Sequence, residues 1–462
     1  MNSDALSVLR HAGPEKAAEI SMTSGPDSAL VLFLSWLPEV WQIALQNVRL
    51  SLIPAVGWNV SISADQKSAG PEANPKTANL KIPGNRIDTL RPDAPELAQP
   101  GPWDVGVQTL HLMDPWRPDV VNSTSELQFS PRNLTLEVWY PAQLSAGQER
   151  GEAYHTVLRD GKTPIVLHGK AVREAQPAAE MFPLVILTHG YPGNRFLMAH
   201  LGENLASKGH VVVSIDHTDS TYSDLSVFSS TLYNRPLDQL FVLQEITRLG
   251  EQGSLFSNLA DTDRVALIGY SMGGYGVLNN LGAGFSDAAV FSPVAPPFEL
   301  LKQRAHSNPE YPASLDRRIK AAMAIAPWGM NYGLWEQQAF ASIQTPLFLM
   351  GGTLDEVAGY ENGARAIYQN AINTTRHLLT FENANHNVAA PMPAPLEAWA
   401  DPEDFRHYAD PVWDTVRMNN ILQHFATAFL ALHLKGDQEM AAYLDASFKG
   451  FKESGKAGLK LE

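Results

Sequence analysis

Downstream of residue 180 the chain alternates short, continuous apolar runs with longer stretches in which apolar positions recur every three or four residues. The runs at 184–188, 211–216, 265–268, 321–326, 347–350 and 378–381 have the length and aliphatic make-up of strands buried on both faces of a parallel sheet. Between them, 235–249 carries Leu237, Leu240, Phe241, Leu243 and Ile246 at helical spacing, which predicts a helix with that stripe buried. Residues 272–281 also read as a helix. The last helix has the clearest ends: Asp410 is the expected N-cap, Pro411 fits the first turn, and Gly436 follows Lys435. Upstream, 105–112 and 133–140 alternate apolar with polar and predict two opening antiparallel strands. Strand and helix in regular succession predict an α/β fold, a mostly parallel central sheet covered by helices on both faces.

Other stretches do not follow this rhythm. Residues 29–37 and 40–52 are strongly apolar but are parted by Pro38 and Glu39, so neither reaches the roughly 20 residues of a membrane span. Asp4, Glu15, Glu19 and Asp27 lie upstream, where a secretory signal would place basic residues. A signal is therefore not expected; the compartment stays open, with the cytoplasm favoured. We expect 29–52 to form amphipathic helices that fold back on the main domain near the carboxyl edge of the sheet; a lipid anchor is the alternative, and membrane association is not favoured. Residues 67–102, rich in Pro, Ala, Asn and Gly, read as a linker. Residues 145–181 are a polar insertion with one apolar patch at 164–168, and 286–317 and 388–409 interrupt the pattern where lids or pocket walls are inserted. The expected division is an N-terminal extension over 1–100, a main domain over 101–436 and a tail over 437–462.

Composition narrows the function. The 462 residues carry a net charge of −15 without a basic cluster, which argues against nucleic acid or an anionic membrane as partner. With no cysteine, disulfides, thiolate metal sites and cysteine nucleophiles are excluded together. The 14 histidines are scattered and show no zinc-ligand spacing, so a metal is not implied. Oligomeric state is left open.

The run at 265–268 ends in Gly269-Tyr270-Ser271-Met272-Gly273 and passes straight into helix. A serine hydroxyl reacts only when a base takes its proton and the backbone holds it clear, and a sharp strand-to-helix turn flanked by glycines supplies the second condition. Ser271 is thus the candidate nucleophile, against the alternative of a plain Gly-rich turn. A base and a carboxylate should follow in the order Ser, Asp, His at later strand ends. Asp355 follows the run at 347–350, with a turn aspartate or the N-cap of a helix near Tyr360 as its structural alternative. His386 follows the run ending at Phe381. Two backbone N–H groups should hold an oxyanion, one just after the nucleophile and one after the first parallel strand, which names Met272 and Tyr191. His189 is expected to pack or to hydrogen-bond and not to act as a base.

These residues resemble the α/β-hydrolase superfamily. His189-Gly190-Tyr191-Pro192-Gly193-Asn194, Gly269 to Gly274 and Ala326-Pro327-Trp328 look like the cutinase and polyester-hydrolase branch. The insertion before 184 and the early strands look more like the platelet-activating-factor acetylhydrolase and dienelactone-hydrolase-like group. The resemblance covers residues 104–436 and implies an α/β-hydrolase fold and a serine esterase without cofactor. It implies a small-molecule or polymeric ester substrate with an apolar acyl or aryl group, flanked by Tyr191 and Trp328. Lactonase, amidase or thioesterase activity on the same three residues, or a non-catalytic binding protein of this fold, remain alternatives. Two departures matter: the acetylhydrolases carry their acid where this chain has Ala326-Pro327-Trp328, and dienelactone hydrolases use a cysteine.

Overall fold

A computed structural model describes residues 84–445 and 458–462, together with the backbone of a strand pair at 50–53 and 57–60. Most of the apolar segment at 29–52 therefore lies outside the described residues. Its last part departs from the helical expectation: Leu50–Ile53 is a strand paired antiparallel with Gly57–Val60. Pro54 lies between the two and cannot continue a helix through its missing N–H.

Among the described residues the main sheet has eleven strands. Its principal members are β1 (Asp104–Pro118), β2 (Phe129–Gln143), β3 (Phe182–Thr188), β4 (Val211–Asp216), β5 (Ala260–Tyr270), β6 (Ile319–Ile325), β7 (Leu347–Gly352), β8 (Arg376–Phe381) and β9 (Leu459–Leu461). They lie in the order β9-β8-β7-β6-β5-β3-β4-β2-β1. From β4 to β8 all neighbours are parallel, while β1, β2 and β9 join antiparallel. The sheet is mostly parallel and covered by helices, as the apolar runs predict, and the fold is of the α/β-hydrolase type that the resemblance implies.

Alternation along the strands sends side chains to two separate cores. Leu184, Ile186, Val213 and Leu267 face helices α2 (Phe228–Glu251) and α3 (Met272–Asn280), with Val242, Ile246 and Val277 in the same cluster. Val185, Leu187, Val212 and Ile268 face α1 (Ala199–Ser207) and the C-terminal helix, α6 (Thr415–Lys435), with Leu201, Phe425 and Phe429. Two shorter helices, α4 (Arg365–Asn370) and α5 (Pro402–Tyr408), lie on the connections after β7 and β8.

The structure differs from the sequence reading at two helices. Asp410 is not the cap of α6; Asp414 is, its carboxylate accepting the Arg417 N–H at 2.8 Å. Asp410 instead accepts the N–H groups of Val412 and Trp413 at 2.9 and 2.8 Å, and this turn holds Pro411 outside the helix. The C-terminal end is as expected, Gly436 being left-handed at φ 72°. Helix α2 starts at Phe228, and the predicted stripe is buried only in part: Leu243 and Ile246 are completely enclosed, Leu237, Leu240 and Phe241 are half-buried, and Arg235, Asp238 and Gln239 are completely enclosed as well.

Segments flanking the sheet pack closely on it. From Gly84 the Pro-rich stretch runs along α6, with Ile87 and Ala98 buried and Arg91 donating to Asp414 at 2.8 Å. The 145–181 insertion folds as an antiparallel hairpin of Ala153–Val157 and Pro164–His168. Its Tyr154 hydroxyl donates to the buried Glu203 carboxylate and accepts the Trp139 indole N–H. Beyond α6 the chain returns through β9 to pair with β8.

Candidate active site

The corner after β5 is set by steric limits. Ser271 has φ 52° and ψ −114°, a conformation that L-residues adopt only when their surroundings enforce it. A Cβ at Gly269 would lie 2.3 Å from the Gly273 carbonyl carbon, and one at Gly273 would lie 2.1 Å from the Thr188 oxygen. Both glycines are therefore required for the strand, the helix and β3 to meet. The Ser271 N–H donates to Ile325 O at 2.8 Å, and the Ser271 carbonyl accepts from Tyr275 and Trp328. These bonds tie the serine to β6, α3 and the loop after β6.

Three sequence-predicted side chains meet at this corner. His386 Nε2 is 2.8 Å from Ser271 Oγ, and His386 Nδ1 is 3.0 and 2.9 Å from the two Asp355 oxygens. Since an ionised carboxylate only accepts, Nδ1 carries the proton and Nε2 presents a lone pair to the serine hydroxyl. Asp355 is buried, and one of its oxygens also accepts the N–H groups of Val357 and Ala358 at 2.9 and 2.8 Å. The turn-aspartate alternative is thus also realised, by the same carboxylate. Burial pushes the Asp355 carboxyl up, but the charge and hydrogen bond of His386 and the two backbone donors together hold it below the ordinary value.

The loops that carry Asp355 and His386 are fastened to each other. Leu354 N–H donates to Ala384 O at 2.9 Å, and Asn383 N–H donates to the Thr353 hydroxyl at 2.7 Å. Asp410 adds a third tie, accepting the Asn385 N–H at 2.7 Å, directly before the histidine. The Tyr270 ring lies against His386 with centroids 5.2 Å apart. Asp410 was legible only as a helix cap, because its bond to the histidine loop joins residues on different elements.

On the opposite side lie the predicted oxyanion groups. Met272 begins α3, and its N–H meets no protein acceptor among the described residues. Gly190 runs beside the nucleophile: a Cβ there would come within 3.3 Å of Ser271 Cβ. His189 is buried and bonded on both ring nitrogens. Its Nδ1–H donates to Gly190 O at 2.7 Å, and its Nε2 accepts the His217 N–H at 3.2 Å. Burial and the nearby Arg235 guanidinium keep it neutral, well below the usual histidine range, so its part is structural.

An aromatic wall extends from here. Tyr191 packs edge-on against Phe228, Phe228 against Trp328, and Trp328 stacks on Tyr332 with centroids 4.7 Å apart. Trp328 is only 4% exposed, whereas Tyr191 and Tyr332 are half-buried. Trp328 thus backs the wall, and Tyr191 and Tyr332 offer surface. Phe228 and Tyr332 escape sequence reasoning because both lie in irregular or N-terminal positions without a motif. Among the described residues no group of His, Asp and Glu is arranged for a metal ion, and no helix is long and apolar enough to cross a membrane.

A family described as PET hydrolase-like matches residues 169–298. That span includes Tyr191 and Ser271 and ends before Trp328, Asp355 and His386. Among individual proteins, the chain is 27% identical over 203 residues to cutinase est1 of Thermobifida alba, and 28% identical over 204 residues to cutinase 2 of Thermobifida cellulosilytica. It is 25% identical over 207 residues to a bis(hydroxyethyl) terephthalate hydrolase of Streptomyces coelicolor. Each alignment covers 44% of this chain and 52%, 59% and 50% of the respective relative; the chain spans about half the length of the relatives it matches. A ferulic acid esterase from Streptomyces cinnamoneus shares the fold at a TM-score of 0.51 and 20% identity, over 76% of this chain and 94% of that one. The chain therefore has the α/β-hydrolase fold and is similar, over less than half its length, to proteins named cutinase and to a PET hydrolase-like family.

Proposed function

We propose that the protein is a serine hydrolase of carboxylic esters, acting on an uncharged ester with an apolar acyl or aryl group. One observation carries the reading: a strained serine whose Oγ lies 2.8 Å from His386 Nε2, on an imidazole that Asp355 holds through its other nitrogen. The relatives named cutinase and terephthalate hydrolase support an ester substrate.

In this reading Ser271 Oγ attacks the ester carbonyl carbon as its proton passes to His386 Nε2, and the carbonyl π electrons move to oxygen. The N–H groups of Tyr191 and Met272 hold that oxyanion. Collapse of the tetrahedral species breaks the bond to the alkoxy oxygen, which leaves as alcohol with the proton from His386. Water then gives a proton to His386, its hydroxyl attacks the acyl carbon, and the acid departs as Ser271 regains its hydrogen. Asp355 stabilises the imidazolium at both stages. Tyr191 and Tyr332 contact the apolar group, with Trp328 behind them.

A panel of aryl and alkyl esters, lactones, thioesters and amides of matched acyl group tests this directly. The reading expects esters with apolar acyl groups to have the highest kcat/KM. Preference for amides or lactones by tenfold or more would replace it with the corresponding hydrolase on the same residues, and inactivity on every class would leave a binding protein of this fold.

A further inference from the structure

We infer that Arg235 is a positioning residue of the oxyanion hole, gripping from below the peptide that presents the Tyr191 N–H; this rests on the ester-hydrolase reading and extends it. The guanidinium is fully buried on α2, and its Nη1 donates to His189 O. Its Nη2 donates to Gly190 O at 3.3 Å and to the Ser220 hydroxyl at 2.7 Å. The Ser220 hydroxyl spends its own hydrogen on His217 O at 3.1 Å, so it receives the arginine as an acceptor. Gly190 O thus has two donors, Arg235 Nη2–H and His189 Nδ1–H. In a trans peptide the C=O and the following N–H point in opposite directions. Among the described residues the Tyr191-Pro192 bond is the one in the cis form, so the Gly190-Tyr191 peptide obeys this rule. Two donors fixed on one end of the peptide fix the direction of the N–H at the other.

The surroundings indicate that the charge itself is used. No carboxylate lies within ion-pair distance of Arg235 among the described residues. Asp238, one turn along the same helix, is taken by Arg117, Arg132 and His217. An unpaired buried guanidinium is costly, and a neutral Gln could tie two carbonyls for less. A cation bonded to the carbonyl end of a peptide polarises it and strengthens its N–H as a donor, which gains most when the acceptor becomes an oxyanion. Burial lowers the Arg235 pKa to about 9, which leaves it charged at neutral pH. Gln239, one turn further on α2, ties β3 to the start of α3, donating to the Thr188 hydroxyl at 2.9 Å and to Gly273 O at 3.2 Å. Gly276 makes room for both side chains: a Cβ there would lie 2.6 Å from Gln239 Nε2 and 3.2 Å from Arg235 Cγ.

The experiment compares the full chain with Arg235→Gln and Arg235→Lys. It measures kcat and KM on a p-nitrophenyl ester, per titrated active site, alongside the inhibition constant of an alkyl boronic acid. Ser271 Oγ bonds to the boron, which becomes tetrahedral and places one of its oxygens where the oxyanion forms. We expect Arg235→Gln to lose about 10²-fold in kcat, in the range of a lost oxyanion donor, with KM within threefold and boronate affinity falling by the same factor. Arg235→Lys, which keeps the charge but cannot fork across two carbonyls, should lose about tenfold in both. If Arg235→Gln does not fold, Arg235→Lys decides alone. Unchanged boronate affinity in a folded variant would overturn the inference, as would losses confined to KM or to the titratable fraction. A parent protein without esterase activity or titratable serine would instead refute the ester-hydrolase reading itself.

Discussion

The two sides of the Ser271 site are held in opposite ways. On the relay side, Asp355 and His386 come from loops after β7 and β8 and reach the serine through side-chain hydrogen bonds of 2.8 to 3.0 Å. On the side of the proposed oxyanion groups, which are backbone N–H, the side chains of Arg235, Gln239 and His189 lie buried against the backbone. The relay can be adjusted one side chain at a time. The oxyanion side is a packed unit in which glycine contacts of 2.1 to 2.3 Å leave no room for a methyl group. Chemistry that moves a proton needs a mobile donor and acceptor, whereas chemistry that stabilises charge needs dipoles that do not reorganise.

The largest effect should come from breaking the relay. Ser271→Ala or His386→Ala is expected to lower kcat by about 10⁶, and Asp355→Ala by about 10⁴, with the fold retained. Steady-state kinetics on an activated ester, with circular dichroism as the control for folding, checks this. Near-full activity in Asp355→Ala would move the acid to another carboxylate.

Gly273→Ala probes the packed side, where a loss of stability should accompany the loss of activity. The added methyl meets the Thr188 backbone oxygen, so denaturant melts should show a destabilisation of about 3 kcal/mol or more. A variant as stable as the parent but inactive would mean that the turn relaxes freely.

How much of this was legible in the sequence follows the same division. The parallel strands and the Ser271 corner were readable because aliphatic runs and glycine spacing are local signals. Asp355 and His386 were readable because each follows a strand at the same sheet edge. The buried face of α2 was legible only in its apolar part, Leu243 and Ile246. Arg235 and Asp238 look like solvated charges until the loops after β3 and β4 close over them. Asp410 misled for a related reason: N-cap and turn share one signature, an aspartate accepting nearby N–H groups.

A smaller effect concerns acidity. The folded Asp355 carboxyl titrates below its ordinary value of 3.8. Its contribution to stability is therefore complete above that value and disappears as pH falls through the lower, folded one. Asp355→Asn should melt below the parent at pH 6, and the gap should narrow progressively as pH falls below 3.8. A gap that does not change with pH would remove the ionic part of the Asp355 contribution.

The smallest change is expected at the wall. Tyr332→Ala should leave stability nearly unaltered and raise KM severalfold for long or aromatic acyl groups, with kcat on a short ester preserved. Trp328→Ala, at a buried position, should cost about 3 to 5 kcal/mol of stability. Thermal melts paired with a chain-length series separate the two, and equal KM changes on short and long esters would take Tyr332 out of the substrate contact.

The central claim is that Ser271 is an activated nucleophile. Intact-mass measurement after treatment with a fluorophosphonate tests it most directly. The account predicts one phosphonyl adduct per chain, mapped to Ser271 by peptide sequencing and abolished in both Ser271→Ala and His386→Ala. An unlabelled parent chain, or an adduct on another residue that persists in Ser271→Ala, would contradict it.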